Sequence, residues 1–490
     1  MIHNSKTITT TFFSTLDREQ TIDCLKFLLL PWKWKDWKNG KYIKQAEDEL
    51  QKYLNDMPQF PACALPAQAG GRSAGDCGAE RAAKKVFSFY NGRTALYYAL
   101  KFAGVGEGDE VIIQAYTCAS VPNAIIEAGA KPIYCDIDES LNLDPDELAK
   151  KITDKTKAVI VQHTFGNPAR IDEIKKMCAG KPHPNHHLKG EGDNENIILI
   201  EDCAHSLGAK YNNKLVGTFG DISMFSFGRD KVISSVNGGM LCVNNDSVML
   251  KHTIINGGTI KFPPYYVIAQ NLLYPILASI SLKWYNKGKV GKGIMYAAKK
   301  LRLIPLILSE KEKNGCYHPT DKLSKIGILH PLKRAQNDAL SMRVAVKKDF
   351  FYKMPNVLAY LFLQQFKKLE EYNKHRFEIA EFYNEKLKGT ELKFPKVWDK
   401  SEPVYLRYTL FAENAEEIIK KACKKNIYLG DWYRNVIAPK GVNLAGVFYE
   451  QNTCSKAEKY ALQSVNLPNH SGISLEDAGR AAVEIRELDN

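Results

Sequence analysis

Residues 197–243 read IILIEDCAHSLGAKYNNKLVGTFGDISMFSFGRDKVISSVNGGMLCV, and the rest of the chain can be interpreted from this stretch. A first apolar run leads to Asp202, which has the position of an acid at the end of a strand. A second run, MFSF, is followed by a short turn that begins at Gly228 and reaches Lys231. The stretch therefore predicts two strands. The first ends in an acid, and the second is followed within a few residues by a lysine, which stands about thirty residues after the acid.

Such a pair suits the chemistry of a pyridine aldehyde cofactor. The lysine holds the aldehyde as a Schiff base, and the acid keeps the pyridine nitrogen protonated so that the ring accepts electrons. Taken singly, Asp202 is better explained as a turn residue at the end of a strand, and Lys231 as one solvated lysine among many. Their combination with Ser226 and with the glycine pair Gly238 and Gly239 favours the cofactor interpretation.

The stretch resembles the core of the DegT/DnrJ/EryC1/StrS aminotransferases, which are PLP-dependent sugar aminotransferases of fold type I. The family pattern is an acid-x-Ala-(His/Gln) strand end, a Gly-(Ser/Thr)-x-Gly-Asp turn, a Phe-Ser-Phe-x-x-x-Lys run and a Gly-Gly turn. The resemblance implies pyridoxal 5'-phosphate (PLP) on Lys231, with Asp202 at the ring nitrogen and His205 near the 3-oxygen. The matching segments are Asp202-Cys203-Ala204-His205, Gly217-Thr218-Phe219-Gly220-Asp221, residues 225–231 and Gly238-Gly239.

Apolar runs alternate with helical segments from residue 86 to residue 174. This alternation predicts right-handed βαβ crossovers and an α/β fold whose ligands bind at the carboxyl ends of the strands. The resemblance specifies a fold-type-I PLP aminotransferase, with a large domain on a mainly parallel, seven-stranded sheet covered by helices and a small C-terminal α+β domain. The expected parts are an N-terminal arm and helix at 1–57, the large PLP-binding domain at 86–256 with loop insertions at 58–85 and 180–196, an insertion at 257–348, and a long helix with the small domain at 349–490.

The first strand–helix turn reads YNGRTALYYAL, with the strand ending at Tyr90 and the helix beginning near Arg93. Unpaired N–H groups at such a helix start bind phosphate. The family's version is Ser/Asn-Gly-Thr-x-Ala-Leu, so the resemblance implies that Gly92, Arg93 and Thr94 cradle the cofactor phosphate, with Arg93 where the family usually has Thr. Ser226 is the expected side-chain partner of that phosphate; the alternative is a serine satisfied by backbone carbonyls.

A departure from the family pattern occurs at Thr117-Cys118, where the family usually has Thr followed by an aromatic residue that stacks on the pyridine ring. Either Cys118 covers the ring, or Tyr116 substitutes for the missing aromatic side chain. Residues two apart in a strand face the same side of the sheet. On this geometry we expect Tyr116 to cover the ring.

Resemblance returns near the C-terminus. Residues 352–387 have apolar positions at three and four spacing and predict one long amphipathic helix. Phe351 and Lys353 stand where the family has the Asn and the Arg of Asn-Tyr-Arg-Met, and that Asn reaches the cofactor phosphate of a neighbouring subunit. The contact is therefore not expected in the same form here.

Two segments have no counterpart in the family pattern. Residues 262–282 carry no charge and are followed by seven basic residues up to Arg302, which suits a peripheral contact with an anionic membrane. Pro263, Pro264 and Pro275 argue against a spanning helix. The alternative is that the insertion packs as helices on its own domain or across a homodimer. The N-terminal Trp-rich segment PWKWKDWKNGK suits either contact with a membrane interface or an anionic ligand, or packing of the arm onto its own domain, and packing is favoured.

Composition limits the remaining classes. The net charge is +13, but the lysines are spread along the chain, which argues against a nucleic-acid surface and is compatible with anionic small substrates. Eleven cysteines without a CxxC pair argue against a disulfide framework and a zinc site, so we expect a cytoplasmic protein and no metal. His183, His186 and His187 lack partners at ligand spacing and predict a solvated loop.

The resemblance implies a homodimeric transaminase that moves an amino group from an amino donor, L-glutamate, to a nucleotide-linked keto-sugar in amino-sugar or surface polysaccharide biosynthesis. Lys231 is the expected acid and base, and Asp202 the partner of the ring nitrogen. One alternative is a regulator that binds PLP or a sugar without turnover. Another is a fold-type-I sugar dehydratase, but the family members that dehydrate replace the lysine by His, and this chain keeps Lys231.

Overall fold

A computed structural model of the chain describes residues 8–10, 17–55, 85–179, 196–245, 248, 260–285, 290–305, 308, 310–315 and 351–489. The loop insertions predicted at 58–85 and 180–196 lie outside these ranges except for their last residues, and so do the three histidines of the second loop. The insertion predicted at 257–348 is described only in part.

The strands include seven long ones in the first half of the chain and several short ones. They are β1 (Ile8–Thr9), β2 (Lys85–Phe89), β3 (Glu110–Gln114), β4 (Thr117–Cys118), β5 (Lys131–Cys135), β6 (Thr156–Gln162), β7 (Ile198–Asp202), β8 (Lys210–Tyr211), β9 (Lys214–Leu215), β10 (Ile222–Ser226), β11 (Gly239–Val243), β12 (Ser401–Glu402), β13 (Tyr408–Phe411), β14 (Ile427–Tyr428), β15 (Ile437–Ala438) and β16 (Ser464–Leu467).

The α-helices fall before, between and after these strands. They are α1 (Arg18–Leu29), α2 (Lys41–Asn55), α3 (Gly92–Phe102), α4 (Ser120–Ala128), α5 (Pro145–Lys151), α6 (Ile171–Ala179), α7 (Tyr265–Lys283), α8 (Val290–Lys300), α9 (Glu310–Lys313), α10 (Asn356–Phe366), α11 (Leu369–Lys386), α12 (Ala415–Lys424), α13 (Ser455–Gln463) and α14 (Leu475–Asp489). Short 3-10 helices occupy Pro31–Asp36, Thr164–Gly166 and Ala445–Val447.

Seven strands form the central sheet in the order β2-β11-β10-β7-β6-β3-β5. β11 pairs antiparallel with both of its neighbours, and the pairs from β10 to β5 are parallel. The predicted α/β fold with a mainly parallel sheet is therefore confirmed.

Helices cover both faces of this sheet, because its strands are apolar on both sides. In β6, Val159 and Val161 belong to one buried cluster, whereas Ala158 and Ile160 belong to another. The first cluster includes side chains of α1, α2 and α10, and the second includes side chains of α3 and α4. Alternation along a strand that is buried on both faces produces this division.

A separate small sheet and its helices follow in the last third of the chain. β13 pairs antiparallel with β16, and the apolar sides of α11, α12 and α14 pack against this pair in a third buried cluster. Tyr383, Leu410, Ile418, Leu467 and Ile485 lie in it. An α+β unit of this kind is what the sequence predicted for the C-terminal region.

The single long helix predicted for residues 352–387 is wrong, because the structure has two helices there, α10 and α11. The chain turns at Lys367 and Lys368, where no glycine or proline marks a break. Lys368 Nζ and Gln365 Nε2 donate to Asp17 Oδ2 at 3.1 and 2.7 Å. The N-terminal arm therefore anchors this corner through a contact that local sequence does not reveal.

Asp17 also begins α1. Its side chain accepts the N–H of Gln20 at 2.6 Å, as an N-cap does, and this contributes about 1 kcal/mol to helix stability. This helix, α1, ends at Leu29, two residues before Pro31. The Trp-rich segment after it forms a 3-10 helix in which Trp32 and Trp34 are exposed. Trp37, which follows this helix directly, is buried.

Candidate functional site

The carboxyl ends of β7 and β10 and the turn after β2 meet at one edge of the central sheet. β7 ends at Asp202 and β10 ends at Ser226. In the strand registers, Met224 lies opposite Asp202, and Gly239 pairs with both Ser226 and Phe89. These three strand ends therefore share the edge at which parallel sheets bind ligands.

Asp202 is almost fully buried at this edge, with 4% of its surface exposed. Its Oδ1 atom accepts the N–H of Ala204 at 3.0 Å. Burial raises the pKa of the carboxyl, whereas the Ala204 N–H and the positive charge of Lys231 lower it. The charge of Lys231 thus acts on the buried Asp202 carboxyl.

Lys231 lies in the turn after β10, where its N–H donates to the Gly228 carbonyl at 3.2 Å. Burial lowers the pKa of its amine, and the charge of Asp202 opposes that shift. A methyl group at Gly228 would lie 3.8 Å from Lys231 Cγ and 3.9 Å from Ser226 Oγ, so these two side chains flank one small space. A less basic amine is more often unprotonated at neutral pH, which a nucleophile for an aldehyde requires.

The turn between β2 and α3 is closed by a side-chain cap. Asn91 Oδ1 accepts the N–H and the hydroxyl of Thr94 at 2.8 and 3.0 Å. A Cβ at Gly92 would lie 2.7 Å from Ser226 Oγ, and one at Gly239 would lie 2.5 Å from the Asn91 carbonyl. Glycines at both positions therefore allow the helix start to approach the Ser226 hydroxyl closely.

Arg93 is engaged by the insertion. Its guanidinium forms an ion pair with Glu312 of α9, and Glu312 is only 3% exposed. Asn123 Nδ2 donates to the Glu312 carbonyl at 2.8 Å and holds the same segment. Only the backbone of Arg93, and not its charge, is thus a feature of the helix start.

The backbone at Tyr116 differs from the extended strand conformation that the sequence predicted. This residue has φ 61° and lies between β3 and β4, so the alternation of an extended strand does not continue through it. Its side chain is fully buried, and its hydroxyl oxygen lies 2.5 Å from Ser464 Oγ and accepts the Tyr433 N–H at 3.3 Å. Cys118 is half-buried and is among the groups that most affect the pKa of Lys231. The geometric reason for preferring Tyr116 over Cys118 is therefore wrong.

His205 is 2% exposed and lies among aromatic rings. Its ring stacks on Phe165 with centroids 5.7 Å apart and an interplanar angle of 18°, and its Nδ1 accepts the Phe165 N–H at 3.3 Å. Its Nε2 lies 3.4 Å from the Tyr433 hydroxyl. Burial, followed by the charges of Lys231 and Arg407, holds its pKa well below the usual range, so the imidazole is neutral.

Sequence reasoning missed Arg407, which comes from the C-terminal part of the chain. Its guanidinium lies 4.9 Å from the Trp432 ring centroid, and Nη1 donates to the Thr10 carbonyl at 2.8 Å. Nε and Nη2 have no hydrogen-bond partner among the described residues, although Arg407 is only 2% exposed. Its charge affects the pKa of Lys231 and of Asp230. Only its type, a basic residue directly before the apolar strand β13, marks it in the sequence.

A second buried acid, Glu201, has a structural task. Its two oxygens accept the N–H groups of Gly217, Phe219 and Gly220 at 2.7 Å each. His163 Nε2 lies 3.2 Å from the same carboxylate, and Cys203 lies close by, which makes this a geometric candidate for a metal site. The carboxylate is already occupied by backbone donors, so it fixes the turn that leads into β10.

The residues at this edge fit PLP. A buried carboxylate suits a protonated ring nitrogen, an amine of lowered pKa suits an aldehyde, and a serine hydroxyl beside a helix start suits a phosphate. The fit rests on the chemistry of these three groups, the Asp202 carboxylate, the Lys231 amine and the Ser226 hydroxyl.

Comparison with known proteins supports the interpretation. The model of the DegT/DnrJ/EryC1/StrS aminotransferase family matches residues 76–261 and 322–486. The interruption falls within the insertion that the sequence set apart. The matched parts include the sheet edge and the C-terminal α+β unit.

The chain is also similar to individual members. It is 34% identical over 213 residues to the GDP-perosamine synthase of Vibrio cholerae, covering 43% of this chain and 47% of that protein. It is 31% identical over 291 residues to a pleiotropic regulatory protein of Geobacillus stearothermophilus, covering 57% of this chain and 74% of that protein. The match spans less than half the length of the Vibrio cholerae protein.

Solved structures share the fold over nearly the whole chain. The PLP form of the putative sugar aminotransferase Spr1654 from Streptococcus pneumoniae superposes with a TM-score of 0.64 at 17% identity, covering 99% of this chain and 98% of that one. S. venezuelae DesV, solved in complex with a ketimine intermediate, gives a TM-score of 0.61 at 17% identity, covering 96% and 94%. These likenesses establish the fold-type-I architecture.

Proposed function

The chain belongs to the DegT/DnrJ/EryC1/StrS aminotransferase family, and from this premise we propose that it is a PLP-dependent sugar aminotransferase. It transfers the amino group of L-glutamate to a nucleotide-linked keto-sugar. The observation that carries the proposal is the grouping at one sheet edge of the buried Asp202 carboxylate at the end of β7 with Ser226 and Lys231, whose side chains flank one small space and whose amine and the Asp202 carboxyl shift each other's pKa.

Lys231 has two tasks in this proposal. Its amine would hold the cofactor through the aldehyde carbon, and when free it would take the proton from Cα of the amino donor as a base and return it later as an acid. PLP supplies an electron-accepting pyridine ring that stabilises the negative charge left at that carbon. The lowered pKa of the amine supports both tasks, because the base must be unprotonated at neutral pH.

Asp202 keeps the ring nitrogen of the cofactor protonated. Its burial makes an unpaired carboxylate costly, and a positive partner therefore stabilises its ionised form. His205, which is neutral, offers hydrogen bonds without adding charge beside the 3-oxygen. The phosphate is held by the backbone of Gly92 and Arg93 and by the Ser226 hydroxyl, while Thr94 supports the turn through its cap with Asn91.

Arg407 gives support for an anionic amino donor. Because two of its nitrogens lack partners among the described residues, a carboxylate can accept from them without displacing another bond. Such charge-assisted hydrogen bonds are stronger than neutral ones, and Arg can bind a carboxylate through two parallel bonds. L-Glutamate fits this requirement.

The proposal extends to assembly and location. We expect a homodimer, since the family assembles its sites between subunits, and an enzyme acting in the cytoplasm. The cysteines of the described residues are all free, which agrees with a reducing compartment.

The test is a pair of half-reactions. Purified protein loaded with PLP is mixed with L-glutamate, or with L-glutamine for comparison, and the visible absorbance of the Schiff base is followed. It should disappear with the preferred donor and return on addition of one member of a panel of nucleotide keto-sugars.

The alternative of a regulator without turnover predicts a different outcome. We retain it because one relative, from Geobacillus stearothermophilus, is named a pleiotropic regulatory protein. A protein that only binds PLP would keep its absorbance when the donor is added. A dehydratase would consume the sugar without forming an amino sugar, which mass spectrometry of the product distinguishes.

A further inference from the structure

Two segments far apart in sequence form one helical layer on the outside of the protein. This outer helical layer consists of α1, the 3-10 helix Pro31–Asp36, α7 and α8. Thr21 Oγ1 of α1 lies 3.2 Å from Ser279 Oγ of α7. Lys38 Nζ lies 4.0 Å from the Tyr265 ring at the other end of α7, and Ser281 Oγ donates to the Gly291 carbonyl of α8 at 2.8 Å.

The inner side of the layer is tied to the core. Asn271 Nδ2 donates to the Tyr90 hydroxyl at 2.8 Å, and Asn237 Nδ2 donates to Asn271 Oδ1 at the same distance. The Arg229 guanidinium lies 4.5 Å from the Tyr274 ring. These polar contacts in the middle of α7 fix which side of the helix faces the protein.

The outer side is apolar. Of twenty-one large hydrophobic side chains that are exposed among the described residues, fourteen lie in residues 18–36 and 265–303. Residues 262–282 include no charged side chain, so α7 lacks the polar outer face of an ordinary surface helix. Among the described helices, α7 is also the one long and apolar enough to cross a membrane. The most exposed of the fourteen are Leu29, Trp32, Tyr266, Tyr296 and Leu301.

Positive charge predominates around this apolar side. Residues 247–309 contain no Asp or Glu and nine Lys or Arg. Each of the three acids at the start of α1 has a partner: Lys368 Nζ donates to Asp17 and to the exposed Glu19, and the Tyr360 hydroxyl donates to Asp23 at 2.9 Å. Exposed aromatic and aliphatic side chains are thus accompanied mainly by positive charge.

The apolar side chains and the positive charge together indicate what binds to the outer helical layer. A second copy related by a two-fold axis would place the same basic segment against itself, with no acid in residues 247–309 to pair with it. An anionic bilayer offers both an apolar boundary and a negative surface. A spanning orientation is disfavoured because Asn271 and Ser281 on the inner side are bonded to the protein.

We propose that the outer helical layer docks the protein on an anionic lipid bilayer, with α7 lying in the plane of the interface. Tyr266, Ile280 and Trp284 of α7 and its C-cap enter the headgroup region, together with Leu29 and Trp32 from the N-terminal segment. Lys299 and Lys300 at the end of α8 contact lipid headgroups. The docking goes beyond amino transfer and does not depend on it.

Flotation of the full-length protein with vesicles tests this proposal. Vesicles of phosphatidylcholine with phosphatidylglycerol are compared with vesicles of phosphatidylcholine alone, at low and at high salt. The protein should float with the anionic vesicles at low salt, and much less in the other conditions. Failure to float with anionic vesicles at low salt would overturn the proposal.

Two variants locate the surface. Y266S/W284S removes apolar contacts, and K299E/K300E reverses two charges; each should reduce vesicle binding, with about a fivefold loss expected for each lysine removed. The control L462S/K440E changes an exposed leucine and an exposed lysine elsewhere, and should bind as the unmodified protein does. Equal loss in the control would contradict the assignment.

Oligomeric state separates the remaining occupant from the bilayer. Sedimentation velocity should show the same assembly for Y266S/W284S as for the unmodified protein. If that variant instead dissociates while binding to vesicles is unchanged, a second copy covers the layer and the proposal is wrong. Glutamate-dependent loss of cofactor absorbance, measured in parallel, reports on amino transfer separately, because the exposed side chains changed here are not among the residues proposed to hold the cofactor.

Discussion

Replacement of Gly92 by Ala examines the phosphate end of the site. The new Cβ would lie 2.7 Å from both Cβ and Oγ of Ser226, and 3.2 Å from Met224 Cε. Ordinary contacts begin at about 3.4 Å, so the Ser226 side chain must retreat by several tenths of an ångström. The helix start cannot yield easily instead, because Gly239 already packs against the Asn91 backbone on its other side.

The magnitude follows from the bond that is lost. A hydrogen bond to a charged group contributes about 1.5–3 kcal/mol. If the Ser226 hydroxyl no longer reaches the phosphate, PLP binding should weaken by about 10–150-fold. The amine of Lys231 is untouched, so saturating cofactor should still form the Schiff base.

Titration of the apoprotein with PLP, followed by visible absorbance, measures this change. Gly106→Ala is the matched control, because a Cβ there has no atom within 4 Å. Thermal unfolding of both apoproteins checks that the fold is retained. An unchanged dissociation constant for Gly92→Ala, with the fold intact, would refute the assignment of this turn to the phosphate.

Asp202→Asn should keep bound PLP but lower turnover by about 10²–10⁴-fold, because an amide accepts the Ala204 N–H yet cannot hold the ring nitrogen protonated; near-normal steady-state rates would remove Asp202 from the site. Arg407→Gln should raise KM for L-glutamate by about 10–150-fold with the cofactor absorbance retained, and an unchanged KM would exclude Arg407 from donor binding. Burial lowers the pKa of His470 to about 4, whereas an unfolded His titrates near 6.5, so the unfolded chain binds more protons between these values and stability falls as the pH is lowered through that window. Denaturant unfolding at several pH values should show a smaller loss for His470→Gln; parallel curves would contradict this.

The sequence was sufficient where local pattern and chemistry coincide. The acid that ends β7 and the Asn-Gly turn before α3 are marked by strand patterns that end in residues with a recognisable task. The seven-stranded sheet follows from the alternation of apolar runs and helices together with the family resemblance. The separation of Lys231 from Asp202 along the chain is the one that the family pattern requires.

Other features depend on contacts that no local pattern contains. The break at Lys367 is accompanied by hydrogen bonds from the neighbouring Gln365 and Lys368 to Asp17, some 350 residues away in the chain. Tyr116 departs from strand alternation because its backbone adopts a positive φ. Arg407 acts on the site because the C-terminal unit folds against the sheet edge, and a single basic residue before an apolar strand does not predict that contact.

The pairing of Arg93 with Glu312 illustrates the same limit. The position of Arg93 at a helix start suggests a phosphate ligand, but its charge is engaged by an acid from the insertion. The insertion has no counterpart in the family pattern, so the resemblance could not have indicated this partner.

Peptide mapping after borohydride reduction tests the central claim most directly. The reductant converts the Schiff base of the PLP-loaded protein into a stable secondary amine, whose position mass spectrometry identifies. We expect one modified peptide, carrying the pyridoxyl group on Lys231, and no such peptide when the protein is treated with L-glutamate before reduction or when Lys231 is replaced by Ala. A pyridoxyl group on another lysine, or one that persists at full yield in Lys231→Ala, would contradict it.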